Sequence, residues 1–178
     1  MTAPDVLFID DEEDIRLSAA QTFELADLKV TCCADALSAL EGIGRSFEGV
    51  VVTDIRMAGM DGVTLMRRTL EIDPDLPVIL ISGHADVDLA VQCIKDGAYD
   101  FLEKPYEPAR LVASTRRALE KRRLTLENRA LRRQIGSSDV VEARLIGRSD
   151  PMVALRQTVR AVAATDADVL ITGATGTG

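Results

Sequence analysis

The chain has 178 residues, 47% of them apolar and only six aromatic, so it can bury a largely aliphatic core and global disorder is excluded. No apolar run is long enough to span a bilayer, the N-terminus reaches a charged stretch by Asp10 without a secretory core, and three cysteines without C-x-x-C spacing (Cys32, Cys33, Cys93) read as reduced, cytoplasmic thiols. The net charge of −8 is unevenly spread: residues 1–106 hold 8 basic and 21 acidic residues, whereas residues 107–135 hold 9 and 3, so the acidic body argues against nucleic-acid binding by that part.

Val6–Ile9 is continuously apolar, as a strand buried on both faces should be. Asp14–Ala26 has helical apolar spacing, Lys29–Cys33 reads as a strand and Asp35–Ile43 as a helix. Gly49–Thr53 predicts a strand, Gly62–Ile72 a helix and Val78–Ser82 a strand. Val87–Lys95 predicts a helix with Asp86 as N-cap and Gly97 near its C-cap, followed by a strand at Tyr99–Leu102. From Glu107 to Ile135 there is no glycine, and Pro108 sits in the first turn, where proline is tolerated. That predicts a helix of about 43 Å, whose second half must protrude. Gly136-Ser137-Ser138-Asp139 is the first expected break; Pro151–Thr165 predicts a further helix and Val169–Thr172 a strand.

Strands alternating with helices mean βαβ units and a parallel sheet. The expected fold class is α/β: a flavodoxin-like (βα)5 doubly wound sheet, strand order 2-1-3-4-5, with an extended C-terminal helix. The expected organisation is a domain over residues 1–120, a long fifth helix and linker over 107–135, and the start of a second domain over 143–178.

In such a sheet, ligands bind beyond the carboxyl ends of the strands. Strand one ends in Asp10-Asp11, strand three in Asp54, strand four in Ser82, and strand five is followed by Lys104-Pro105. Three carboxylates, a hydroxyl and an ammonium thus converge on one rim. Crowded carboxylates are costly without a cation, and an all-oxygen set suits Mg2+. Singly, an Asp before a helix is an ordinary cap and an Asp after a strand ordinary turn chemistry. Their conjunction at successive strand ends favours a functional site.

The runs Ile9-Asp10-Asp11-Glu12, Thr53-Asp54-Ile55-Arg56-Met57-Ala58-Gly59-Met60-Asp61-Gly62, Ile81-Ser82-Gly83 and Phe101-Leu102-Glu103-Lys104-Pro105 closely resemble a response-regulator receiver domain over residues 5–120. The resemblance implies that Asp54 takes a phosphoryl group from the phosphohistidine of a sensor histidine kinase. It implies Mg2+ ligation by Asp11 directly, by Asp10 mainly through water, by Asp54, and by the main-chain carbonyl of Arg56. It implies that Lys104 and Ser82 meet the phosphoryl oxygens, and that Phe101 is an aromatic switch rather than only a core residue. Such a module accepts phosphate without being an enzyme in the usual sense. The competing enzyme class, a phosphatase with an Asp nucleophile, would want an acidic residue two positions on, where this chain has Arg56. Ala58 stands where the family often has Pro, and His84 reads as a loop imidazole.

The C-terminal part extends the resemblance. Leu145-Ile146-Gly147-Arg148-Ser149, Leu155-Arg156-Gln157-Thr158-Val159 and Asp168–Gly178 look like the opening of the AAA+ ATPase domain of sigma-54-dependent activators. Gly173, Gly176 and Gly178 fit the phosphate-cradling glycines of a P-loop, whose Lys and Ser/Thr lie beyond the last residue, so ATP is expected to bind only a longer protein. The overall likeness is to regulators of four-carbon dicarboxylate transport, with nitrogen-regulation activators close behind. In that setting the partners are the kinase, the attached AAA+ domain and sigma-54 RNA polymerase, with no membrane and no DNA contact by this part. Finally, Leu124, Asn128, Leu131 and Ile135 are spaced 4, 3 and 4, a heptad run that predicts a parallel homodimeric coiled coil. Leu111, Thr115, Ala118 and Leu119 are expected to add receiver–receiver contacts, and the Arg pairs to be a solvated stalk.

Overall fold

The computed structural model describes residues 4–83, 87–163 and 169–170, with side chains omitted for 133–143. In chain order the elements are β1 (Val6–Ile9), α1 (Glu13–Leu25), β2 (Val30–Cys33), α2 (Ala36–Glu41), β3 (Val50–Asp54), α3 (Gly62–Ile72), β4 (Val78–Ser82), α4 (Val87–Lys95), β5 (Asp100–Glu103), α5 (Pro108–Arg144) and α6 (Asp150–Val162). The five strands form one parallel sheet in the order β2-β1-β3-β4-β5. This is the flavodoxin-like doubly wound sheet expected from the sequence.

The sheet is covered on both faces, which is why β1, β3 and β4 are apolar almost throughout. Successive side chains point to opposite faces. Val6, Phe8, Val50, Val52, Ile79 and Ile81 pack towards α1 and α5, with Phe23, Leu111 and Ala118. Leu7, Ile9, Val51, Val78 and Leu80 pack on the other face with Leu65 and Met66 of α3 and Cys93 of α4. Phe8 and Phe23 meet edge to face, ring centroids 6.2 Å apart. The helix entries are capped locally: Asp35 and Asp61 accept main-chain N–H groups of Ser38 and Thr64 at the starts of α2 and α3.

Several expectations change. Gly136 does not end α5, which continues to Arg144. One glycine inside a helix costs only about 1 kcal/mol, far less than a proline, and no proline follows before Pro151. Leu111, Thr115 and Ala118 are buried in the domain's own core and cannot serve a partner domain. Arg122, placed in the solvated stalk by the sequence, has no exposed surface. Its Nη1 lies 2.9 Å from Asp73 Oδ2, and Nε and Nη2 donate to the carbonyl of Phe47 at 2.9 and 2.7 Å. The chain accordingly divides into two compact units after Glu127, not after residue 120.

In the second unit, α6 starts from Ser149 with Pro151 in its first turn, after Gly147 at φ +150°. Val169 and Leu170 are not in a strand. Ile171 and Thr172, the P-loop glycines Gly173, Gly176 and Gly178, and His84 and Asp86 lie outside the described residues, as does the side chain of Ile135. Among the described residues no helix is long and apolar enough to cross a membrane.

Candidate phosphoacceptor site

The parallel register brings the ends of four strands to one edge. Ile9 pairs with Thr53, Asp54 with Ile81, and Ser82 with Glu103. Asp10, Asp54, Ser82 and Lys104 therefore come together although 94 positions separate the first from the last. Asp54 is the last residue of β3, only 6% exposed; Asp10 is 1% and Ser82 2% exposed.

Lys104 is the hub. Its Nζ lies 2.6 Å from Asp54 Oδ1 and 3.0 Å from Asp10 Oδ2. Burial alone would lower its pKa, but the hydrogen bonds to Asp54 and Asp10 outweigh burial and hold it above the usual lysine value. The Lys104 main-chain N–H donates to the Ser82 carbonyl at 2.7 Å, which ties the end of β5 to that of β4. The Lys104–Pro105 peptide is cis.

The remaining carboxylate oxygens are held by main-chain donors. Asp54 Oδ2 accepts from Arg56 N–H at 2.6 Å, and Asp10 Oδ1 from Glu12 N–H at 3.0 Å. Asp11 is exposed at the mouth, where its Oδ2 accepts from Ala58 N–H at 3.2 Å. The loop after β3 can follow this path because Gly59 takes φ +81° and Gly62 lacks a side chain. A Cβ at Gly62 would lie 2.1 Å from the Asp54 carbonyl oxygen. Phe101, on β5 beside Leu80, is half-buried and packs against the α3 and α4 side of the core.

Among the described residues no three His, Cys, Asp or Glu side chains close into a metal cage. The set is open instead: two buried carboxylates bridged by an ammonium, and a third carboxylate at the rim. Hard oxygen donors that leave coordination positions to water fit Mg2+, not the closed N/S tetrahedron of a structural Zn2+. Of the sequence-predicted residues, Asp10, Asp11, Asp54, Ser82 and Lys104 come together at this strand-end edge, Arg56 follows Asp54 in the adjoining loop, and Phe101 lies one layer down on β5 beside Leu80. Leu124 and Leu131 are 51% and 56% exposed on α5, and Asn128 is exposed too.

Sequence reasoning missed two supports. Gly62 reads in the sequence as one more motif residue, although a glycine at the first position of a helix is itself a sign of close backbone approach. Arg16 carries no sequence signal of a role, yet its Nη1 donates to the carbonyls of Asp10 and Asp11 at 2.8 and 2.9 Å. No periodicity reveals such a contact.

A family profile described as response regulator receiver domain matches residues 6–116. The C4-dicarboxylate transport transcriptional regulatory protein DctD of Rhizobium meliloti is 52% identical over 176 residues, covering 99% of this chain and 38% of that protein. The chain therefore spans under two fifths of that curated relative. The crystal structure of the receiver domain of NtrX from Brucella abortus superposes with a TM-score of 0.61 at 40% identity, covering 65% of this chain and 98% of that one. The beryllofluoride-activated NtrC4 receiver domain dimer superposes with a TM-score of 0.61 at 38% identity, covering 66% and 97%.

Proposed function

Because the chain belongs to the response regulator receiver domain family, we propose that Asp54 accepts a phosphoryl group from the phosphohistidine of a sensor kinase, and that the resulting change controls an attached AAA+ domain of a sigma-54-dependent activator. The observation that carries this reading is the Lys104 bridge: a nearly buried aspartate at a strand end, with a cation 2.6 Å from one oxygen and a main-chain N–H 2.6 Å from the other.

In phosphoryl transfer the protein mainly positions and neutralises. An Asp54 carboxylate oxygen attacks phosphorus as the bond to the donor nitrogen breaks, leaving an acyl phosphate. Lys104 then exchanges its contact with Asp54 Oδ1 for phosphoryl oxygens, and the Ser82 hydroxyl donates to another. Asp10, Asp11, Asp54 and the Arg56 carbonyl would hold Mg2+, which supplies the positive charge that draws phosphoryl oxygens to the rim. Phe101 turns further into the core as Ser82 moves, which changes the surface around α4, β5 and α5.

Beside the site a groove of about 440 Å³ is lined by Ile15, Ala19, Thr22, Lys104, Pro105 and Tyr106. Its apolar floor and the nearby Lys104 suit a helix that carries the phosphodonor. The exposed Leu124, Asn128 and Leu131 support a homodimeric linker. The relatives support a role in regulating four-carbon dicarboxylate transport. The deciding experiment is intact mass measurement after incubation with acetyl phosphate and Mg2+. The native chain should gain one phosphoryl group and Asp54→Asn none; an Asp54→Asn chain phosphorylated at the native rate on another carboxylate would refute the assignment.

A further inference from the structure

The loop that bears Asp10 and Asp11 lies between two regular elements and belongs to neither. The β1 ladder ends at Ile9, and α1 begins at Glu13. Main-chain carbonyls in such a gap need a partner from elsewhere. Here one atom serves both: Arg16 Nη1 donates to the carbonyl of Asp10 at 2.8 Å and to that of Asp11 at 2.9 Å. Arg16 is itself held. It is half-buried in the first turns of α1, its N–H donates to the Glu12 carbonyl, and its own carbonyl faces the Cys32 thiol of β2 at 3.7 Å.

We infer that Arg16 is a positioning residue for Mg2+: by clamping both carbonyls it sets the Asp10 and Asp11 carboxylates in register to meet one cation. The inference rests on the reading of Asp10 and Asp11 as metal ligands and adds to it the residue that organises them. One observation separates this role from the simple charge balance that the local composition would suggest. Arg16 is the only basic residue among the first 28, which include eight acidic ones, five of them at Asp10–Asp14. Yet its Nη1 goes to main-chain carbonyls, a geometry that fixes backbone and not charge. The other ends of the loop are fixed independently, Asp10 by Lys104 and Asp11 by the Ala58 N–H. With Arg16 the acidic loop is thus tied from three sides before any cation arrives.

The two roles have opposite signs. Removing a cation from beside an anionic site should by Coulomb's law tighten Mg2+ binding. Removing an outer clamp should weaken it, by about 10-fold on the scale of outer-shell substitutions. The test is a Mg2+ titration of the full chain, without phosphodonor, followed by main-chain amide shifts of the β1–α1 loop. Native protein, Asp11→Asn, Arg16→Met and Arg16→Lys are compared, each with its unfolding midpoint. Arg16→Lys keeps the charge but ends its stem about one bond short of the Nη1 position that reaches both carbonyls, and it is read in the same way if Arg16→Met fails to fold. The expected result is native binding, its near loss in Asp11→Asn, and affinity weakened at least several-fold in each Arg16 variant that folds. Unchanged or tighter binding in a folded Arg16 variant overturns the inference. No Mg2+ response in the native chain, or an undiminished one in Asp11→Asn, overturns instead the reading of the loop as a metal site, and the inference with it.

Discussion

Lys104 shows how a single side chain can hold a site in waiting. Its ammonium offsets the repulsion between two nearly buried carboxylates. Because its folded pKa is raised above the free value near 10.5 by Asp54 and Asp10 despite burial, its contribution to stability is fully present below the unfolded pKa. That contribution is lost as pH rises through the folded pKa. Unfolding of Lys104→Met and native protein compared across pH should therefore show a gap that is constant from neutral pH to about 10 and closes above it. A gap that opened only on acidification would contradict this. Gly62 is the second critical position. A methyl group there would meet the Asp54 carbonyl, a backbone atom that cannot turn aside. Gly62→Ala should cost on the order of 1–3 kcal/mol and displace Asp54. Denaturant unfolding reads the first effect, and a slowed gain of phosphate from acetyl phosphate the second.

At the level of elements, α5 carries two faces. Leu111, Ser114, Thr115 and Ala118 face the sheet, and Ser114 Oγ donates to Asp100 Oδ2 at 2.5 Å, tying α5 to the strand that bears Phe101. One turn beyond Ala118, Arg122 enters the base of the domain, and its pair with Asp73 reaches the end of α3. Breaking a buried ion pair by removing one partner costs about 3–5 kcal/mol, because the other charge stays buried and alone. Arg122→Met should be destabilised by that order in urea. A chain ending at residue 120 should unfold earlier than one ending at 127, whereas equal midpoints would return the domain boundary to residue 120. The helix also passes through Gly136, and no proline after Pro108 interrupts it before Arg144.

For the whole molecule, the question is what covers Leu124 and Leu131. Both are more than half exposed, with Asn128 between them. Burying a large aliphatic side chain contributes about 1.5–3 kcal/mol, and an Asn at one inner position of a heptad fixes register. Sedimentation at micromolar concentrations should give a dimer for the native chain and a monomer for Leu124→Asp/Leu131→Asp. A native monomer, or a double variant that still dimerises, would remove the coiled-coil reading. Leu111, Thr115 and Ala118 cannot add to that interface, because the core already holds them.

The five strands, their order and the acidic rim were legible in the sequence, because a strand buried on both faces must be apolar and a parallel sheet must place its strand ends on one edge. Asp10, Asp11, Asp54, Ser82 and Lys104 could be named on that ground, and the motif resemblance added Arg56 and Phe101. What local pattern could not contain was decided by long-range contact. Arg122 looks like any stalk arginine until Asp73 and the Phe47 carbonyl, both remote in sequence, surround it. Gly62 looks like a turn residue until Asp54 fills the space of its missing side chain. Thr115 has the helical phase of an interface, yet the sheet already covers it. Periodicity tells which face of an element is buried; only the tertiary structure decides against what, and whether a charge goes in with it.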